Sequence, residues 1–187
     1  MAKLTGDGNY YEDFVVGDVH EHCRGRTVEQ FDNYTITHLS LNTAQAHFNL
    51  PYSRALLDGA FPERLVVGLC TLGIVVGLTT EDMSENAVAE IGMDAIRIPN
   101  PVFTQDTLHA RSEVLALWDN AARANTGFLR YRFTGVNQHG KTVIEGERTV
   151  LLKKRGYDER QACEEREAHD ERRAHDEKQA HDEGSGA

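Results

Sequence analysis

Pro62-Glu63-Arg64-Leu65-Val66-Val67-Gly68-Leu69-Cys70-Thr71-Leu72-Gly73-Ile74-Val75-Val76-Gly77-Leu78-Thr79 is the stretch on which the fold turns. It is apolar nearly all round, and its longest apolar run, Leu65 to Leu78, has fourteen residues. A membrane span needs about 20, so residues 62–79 read as a helix enclosed by other structure in a soluble protein. Gly68, Gly73 and Gly77 lower helix propensity, and a sheet packed closely around the helix would account for them. Downstream everything is strand-like: Ala87 to Ile98, Thr107 to Trp118, Thr126 to Val136 and Thr142 to Lys153. In the third of these Leu129, Tyr131 and Phe133 alternate with Arg130 and Arg132, the period of a half-exposed strand. Asn137-Gln138-His139-Gly140 is a hairpin turn joining the last two.

Upstream, Phe14 to Arg26 is extended, with a turn at Gly17-Asp18. Thr27-Val28-Glu29-Gln30 has the layout of a capping box and predicts a helix running to about Leu39. Ser40 to Leu50 is polar and irregular; Pro51 can open a short helix and Gly59 close it. One early strand, one wholly apolar helix and a run of antiparallel strands imply an α+β domain whose sheet wraps the helix.

Composition narrows the function classes. The 187 residues are 40% hydrophobic, enough for one domain with a buried core. From Tyr157 on there are eleven acidic and five basic side chains, which puts −6 of the chain's net −10 in the tail and leaves about −4 for the body. Neither part has the clustered Lys and Arg that phosphate backbones demand, so nucleic acid is not an expected partner. Cys23, Cys70 and Cys163 are odd in number and outside any CxxC spacing. They suggest neither a disulfide framework nor a zinc knuckle, and a reducing, cytoplasmic setting fits. Met1 to Asn9 lacks the charged-then-apolar layout of a secretory signal.

From Ala162 a six-residue unit recurs as Ala-Cys-Glu-Glu-Arg-Glu, Ala-His-Asp-Glu-Arg-Arg, Ala-His-Asp-Glu-Lys-Gln and Ala-His-Asp-Glu. Six residues at about 100° each rotate the face by about 240° per repeat, so no stripe persists for a partner helix. The reading is a solvated helix or a disordered chain, and no metal site is assigned to His169, His175 and His181. The chain thus divides into an extension over residues 1–10, a domain over 11–156 and an acidic tail over 157–187.

Ser40-Leu41-Asn42-Thr43-Ala44-Gln45-Ala46-His47 resembles the hydratase signature of the MaoC-like dehydratase family, a Ser-x-Asp-x-Asn-Pro-x-His pattern. Pro62 to Gly68 resembles that family's approach to its central helix, and Pro99-Asn100-Pro101-Val102-Phe103-Thr104-Gln105-Asp106-Thr107-Leu108 resembles its Pro-Val-x-x-Gly-Asp-x-Leu segment. In order and spacing these landmarks cover most of Tyr11 to Lys154. The resemblance implies a hot-dog fold, a helix wrapped by an antiparallel sheet. It also implies an acyl-CoA substrate with no separate cofactor, and pairing of two such domains, here as a homodimer or a higher assembly of dimers.

Hydrating an enoyl thioester requires a base for water, an acid for the α-carbon and donors for the enolate oxygen. The resemblance gives the acid–base role to His47, whose imidazole can exchange protons near neutral pH, and the oxyanion role to the backbone N–H of Gly68 at a helix start. The family aspartate five residues before the histidine is Asn42 here; an amide can orient water but not take its proton. Asn42 to Asn49, with Arg24-Gly25-Arg26-Thr27, resembles a subgroup that hydrates mesaconyl-CoA and itaconyl-CoA, in which the asparagine form is the norm. Such substrates carry a second carboxylate. Arg24 and Arg26, then Arg64 and Arg97, are the candidates to meet it or the CoA phosphates, and Ser40, at the signature serine, is a further substrate-binding candidate. Acyl-CoA thioester hydrolysis and non-catalytic acyl-CoA binding stay open as alternatives, since a fold does not decide among them.

His20 and His22 share one strand face with no third ligand at a suitable spacing, so a solvated strand is expected there. Cys70 reads as a core thiol, and Asp106 as a structural residue binding its loop backbone.

Overall fold

The computed structural model describes residues 8–157. The acidic repeats and their three histidines lie outside the described residues, as does most of the expected N-terminal extension. Five strands form one antiparallel sheet: β1 (Val19–Thr27), β2 (Ala87–Arg97), β3 (Thr107–Asp119), β4 (Thr126–Asn137) and β5 (Thr142–Lys153), in the order β1-β3-β4-β5-β2. Three helices accompany them: α1 (Gln30–Leu39), α2 (Leu50–Ala55) and the long α3 (Gly68–Met83). This is the expected hot-dog arrangement.

The alternation in β4 places the sheet on the helix. Leu129, Tyr131 and Phe133 are fully buried while Arg130 and Arg132 pair with Glu147 and Glu113 on the other face. Each such apolar side chain contributes about 1.5–3 kcal/mol when removed from water. Val75 and Met83 of α3, Leu108 and Val114 of β3, and Ile144, Val150 and Leu152 of β5 complete the core. Sheet and helix approach closely at Gly135, where a Cβ would lie 2.5 Å from Val75 Cγ2. Only glycine fits between the two layers there.

Three expectations need correction. The first is the capping box. Thr27 ends β1, pairing with Thr107 and sharing a 2.9 Å hydrogen bond between the two hydroxyls. Strand pairing claims the residue, so the helix starts later, with Glu29 as N-cap and the Asp32 carboxylate accepting from the Glu29 N–H at 2.8 Å. The second is the start of α3, which begins at Gly68 and not at Pro62. Leu65 N–H donates to Ala46 O (3.0 Å), Val66 N–H donates to Val102 O (2.9 Å), and Leu65 forms a β-bridge with Phe103. These bonds hold the chain extended until Val67.

The third correction concerns how completely α3 is enclosed. Cys70, Thr71, Val75, Thr79, Asp82 and Met83 are buried, but Leu69 is 57% exposed and a Cβ at Gly73 or Gly77 would meet nothing within 4 Å. Close packing of the chain's own sheet therefore does not explain these two glycines. Together with Leu69 they form one open stripe at helical spacing.

Candidate active site

The signature segment leaves α1 through a series of local hydrogen bonds. Ser40 Oγ donates to Ile36 O (2.7 Å), closing the helix end; Leu41 adopts a left-handed conformation (φ 51°); and Asn42 N–H donates to Thr37 O (3.0 Å). Asn42 Oδ1 then accepts from Ala44 N–H at 2.9 Å, an Asx turn that aims the chain into a short 3-10 turn, Gln45–His47. Asn49 caps the start of α2, accepting from Tyr52 N–H at 3.2 Å. His47 thus sits between two capped elements, half-buried.

Its ring is oriented by the extended segment before α3. His47 Nδ1 lies 2.9 Å from Leu65 O. A carbonyl only accepts, so Nδ1 carries the proton, and in the neutral ring Nε2 is left with a lone pair. That is the tautomer of a general base. The same segment returns a bond through Leu65 N–H to Ala46 O, so residues 46–47 and 65 clasp each other.

Three residues beyond Leu65, Gly68 opens α3. Its N–H has no hydrogen-bond acceptor among the described residues, as expected of a first-turn amide. A Cβ there would meet Ile98 Cδ1 at 2.6 Å. The neighbouring Val67 N–H is taken, donating to Asn33 Oδ1 at 2.9 Å. Asn33, on α1 and 1% exposed, also donates through Nδ2 to His47 O at 3.0 Å. Sequence reading passed over this residue. The available signal was an asparagine in a helix interior, where its propensity is poor.

The arginines separate. Arg64 Nε donates to Phe48 O (3.0 Å), one residue from His47, and its guanidinium stands 5.8 Å from the centre of the Tyr34 ring. Among the described residues it has no ion pair. Arg24 pairs with Glu81 at 3.0 Å. Glu81 is thirteen residues along α3 from Gly68, ~20 Å at 1.5 Å per residue, so Arg24 is at the far end of the helix. Arg26 pairs with Asp32 (2.9 Å) and donates to Thr27 O, and Arg97 faces Glu145 at 3.9 Å. His47, Arg64 and the segment leading into Gly68 are tied together through Phe48 O, Leu65 O and Asn33, whereas Arg24, Arg26 and Arg97 face carboxylates.

β1 is exposed along most of its length, as expected, but His22 is not. His22 is 6% exposed; its Nδ1 meets Asp82 Oδ2 at 2.6 Å and its Nε2 meets Ser112 Oγ at 2.9 Å. The cause is that β1 lies over the C-terminal part of α3, which turns Asp82 inward. Cys70 is a core thiol, pushed up to about 11 by burial and hence inert as a nucleophile. Asp106 accepts from Phe103 N–H at 2.9 Å and from the Gln138 side chain at 2.8 Å, holding its loop as expected.

A family model described as mesaconyl-CoA hydratase matches residues 2–184. The chain is 30% identical to a β-methylmalyl-CoA dehydratase of Chloroflexus aurantiacus over a 167-residue alignment that covers 81% of this chain and 46% of that one. It spans about half the length of that dehydratase and of the mesaconyl-CoA hydratases it also matches. The crystal structure of a MaoC domain dehydratase from the same organism superposes with a TM-score of 0.74 at 30% identity, covering 82% of this chain and 43% of the other. A Mycobacterium tuberculosis protein with a double hot-dog fold superposes with a TM-score of 0.72 at 21% identity, over 81% of this chain and 46% of its own, a likeness of fold alone. With the signature histidine, the free helix-start amide and the wrapped helix in place, these matches put the chain in the mesaconyl-CoA hydratase family.

Proposed function

We propose that the protein is a hydro-lyase that reversibly adds water to an unsaturated acyl-CoA thioester, with mesaconyl-CoA as its leading substrate and itaconyl-CoA as the other candidate. The observation that carries the reading is the His47 ring, fixed through Nδ1 on Leu65 O and free at Nε2, on the segment that leads into the Gly68 amide. In the forward direction Nε2 takes a proton from water as the oxygen bonds to the β-carbon. The π electrons move onto the thioester oxygen, where the Gly68 N–H meets the developing charge. The imidazolium then returns its proton to the α-carbon. Water is consumed, the histidine is restored, and the sequence of steps uses no cofactor.

Asn42 takes a water-holding part. Its Oδ1 is committed to the turn, while its Nδ2 makes no hydrogen bond among the described residues and is free to donate to the oxygen of water. Arg64 becomes the first candidate for the substrate's second carboxylate, because it is beside His47 and, among the described residues, without a carboxylate partner. Arg24 and Arg26 recede, each being held in an ion pair. Ser40 serves the helix end. The open stripe of Leu69, Gly73 and Gly77 supports pairing with a second hot-dog unit, most simply as a homodimer. Free Cys23 and Cys70 support a reducing, cytoplasmic setting. Among the described residues no helix is long and apolar enough to cross a membrane.

One observation favours a second reading: a carboxylate is missing at position 42, which would suit a non-catalytic acyl-CoA-binding partner. Loss of the conjugated-thioester absorbance decides between them, with mesaconyl-CoA, itaconyl-CoA, crotonyl-CoA and a saturated thioester compared. Turnover of an unsaturated substrate that disappears in His47→Ala supports the hydratase. Release of free thiol from the saturated thioester would make it a thioesterase, and binding without turnover a partner subunit. Arg64→Gln should raise KM for mesaconyl-CoA about tenfold or more, the size of a lost charged hydrogen bond, and leave crotonyl-CoA nearly unchanged.

A further inference from the structure

Asn33 takes no direct part in the proposed reaction, yet its amide reaches the backbone on both sides of the site. It is 1% exposed, in the middle of α1. Its Oδ1 accepts from Val67 N–H at 2.9 Å, and its Nδ2 donates to His47 O at 3.0 Å, with a longer 3.4 Å approach to Leu65 O. Leu65 O is also the acceptor that fixes the His47 ring. Val67 is the residue before the Gly68 amide. One side chain therefore grips the backbone of the base, borders the carbonyl that sets its tautomer, and holds the peptide next to the oxyanion donor.

A simple structural role would be to satisfy buried backbone groups, and Asn33 does that too. The arrangement adds a geometric consequence. A carboxamide presents an acceptor and two donor hydrogens in one plane, so the positions of His47 O and Val67 N are fixed relative to each other. No other residue of similar size offers both halves: aspartate keeps the acceptor alone and leucine keeps neither. The backbone of α1 supplies a rigid base, reinforced by Thr37 Oγ1 donating to Asn33 O at 2.7 Å.

We infer that Asn33 is a positioning residue that sets the spacing between the His47 base and the Gly68 oxyanion donor and keeps His47 in its Nδ1–H tautomer. The inference rests on the hydratase reading for its effect on rate, but its effect on the ring stands independently. Misplacing a reacting group by about 1 Å can cost about 100-fold in rate with little change in binding. The rate loss should therefore fall on kcat and spare KM.

The test uses the full chain with Asn33→Asp and Asn33→Leu. Asn33→Asp keeps the tie to Val67 and drops the one to His47; Asn33→Leu drops both. Three quantities are read: kcat and KM with mesaconyl-CoA, the His47 tautomer from 15N ring shifts, and the fold from near-UV circular dichroism. Expected for folded Asn33→Asp is a kcat lowered about tenfold or more with KM within about threefold, and a His47 ring no longer confined to Nδ1–H. A folded Asn33→Asp with native kcat and native ring shifts overturns the inference. If Asn33→Leu fails to fold, Asn33→Asp alone decides. If the native protein hydrates nothing, the hydratase reading falls, and the ring shifts still decide: unchanged shifts in Asn33→Asp overturn the positioning role, altered ones uphold it.

Discussion

Two histidines define two polar clusters in this molecule, and they are built oppositely. His22 has both ring nitrogens engaged, by Asp82 at 2.6 Å and Ser112 at 2.9 Å, and is closed to solvent. His47 has one nitrogen engaged, on a backbone carbonyl, and is half-buried. The Ser-His-Asp order around His22 has the connectivity of a nucleophilic relay. Yet no substrate can reach a serine that is 1% exposed. Connectivity is thus a poor guide to catalysis on its own; a free lone pair with access is the better one. The His22 cluster is a fastener between β1, β3 and the end of α3, and the His47 cluster is where the proposed chemistry is placed.

The sharpest way to break that contrast is to remove each ring. His47→Ala should lower kcat by about 100- to 10,000-fold, the range of a lost general acid–base group, with the thermal unfolding midpoint nearly unchanged. Retained hydration would reverse the assignment. Next comes the donor. Position 68 is the first residue of α3 and Val67 before it is extended (φ −62°, ψ 136°), so a proline is locally acceptable there. Gly68→Pro deletes the N–H and should cost about 100- to 1,000-fold in kcat. Gly68→Ala adds a Cβ against Ile98 but keeps the N–H, and should be much closer to native. Equal losses in the two would point to crowding and not to the amide.

His22→Ala should act in the other sense. It leaves Asp82 buried without its partner, costing about 3–5 kcal/mol, seen as a lower denaturant midpoint, while kcat per folded molecule is preserved. The smallest effect concerns His20, whose pKa is lowered by burial first and by His22 next. Its Nε2 is buried without a hydrogen-bond partner among the described residues. The unfolded chain binds this proton more readily, so stability should be full above about pH 6.5 and fall as pH drops below it. Denaturation midpoints measured from pH 7.5 to 5.5 should slope less in His20→Gln than in the native protein.

The two histidines also differ in how readily they are found from the chain alone. His47 stands out as a candidate because its segment resembles a known signature, and the chemistry of a hydratase demands such a group. His22 reads as solvated from the chain alone because its partners are 60 and 90 positions away. Asn33 escaped for the same reason, its bonds reaching 14 and 34 residues along the chain. The subgroup resemblance of Arg24-Gly25-Arg26-Thr27 puts Arg24 and Arg26 above Arg64; their ion pairs with Glu81 and Asp32 reverse that order.

Local order was the accessible part. Strand period, the hairpin at Asn137 to Gly140 and the apolar run of α3 depend on neighbours two to four residues apart, and β2 to β5 appear almost residue for residue where alternation places them. Helix starts were less secure. Thr27 and Pro62 carry good local signals, but pairing with Thr107 and bonding to Ala46 and Val102 override them. Short-range pattern settled the elements, the landmarks and the family, because side-chain period and signature spacing are written along the chain. Which ring nitrogen is free, which arginine lacks an acid and which amide aligns base with donor came from the folding of distant segments onto one another, because a hydrogen bond is set by where its two atoms meet in space.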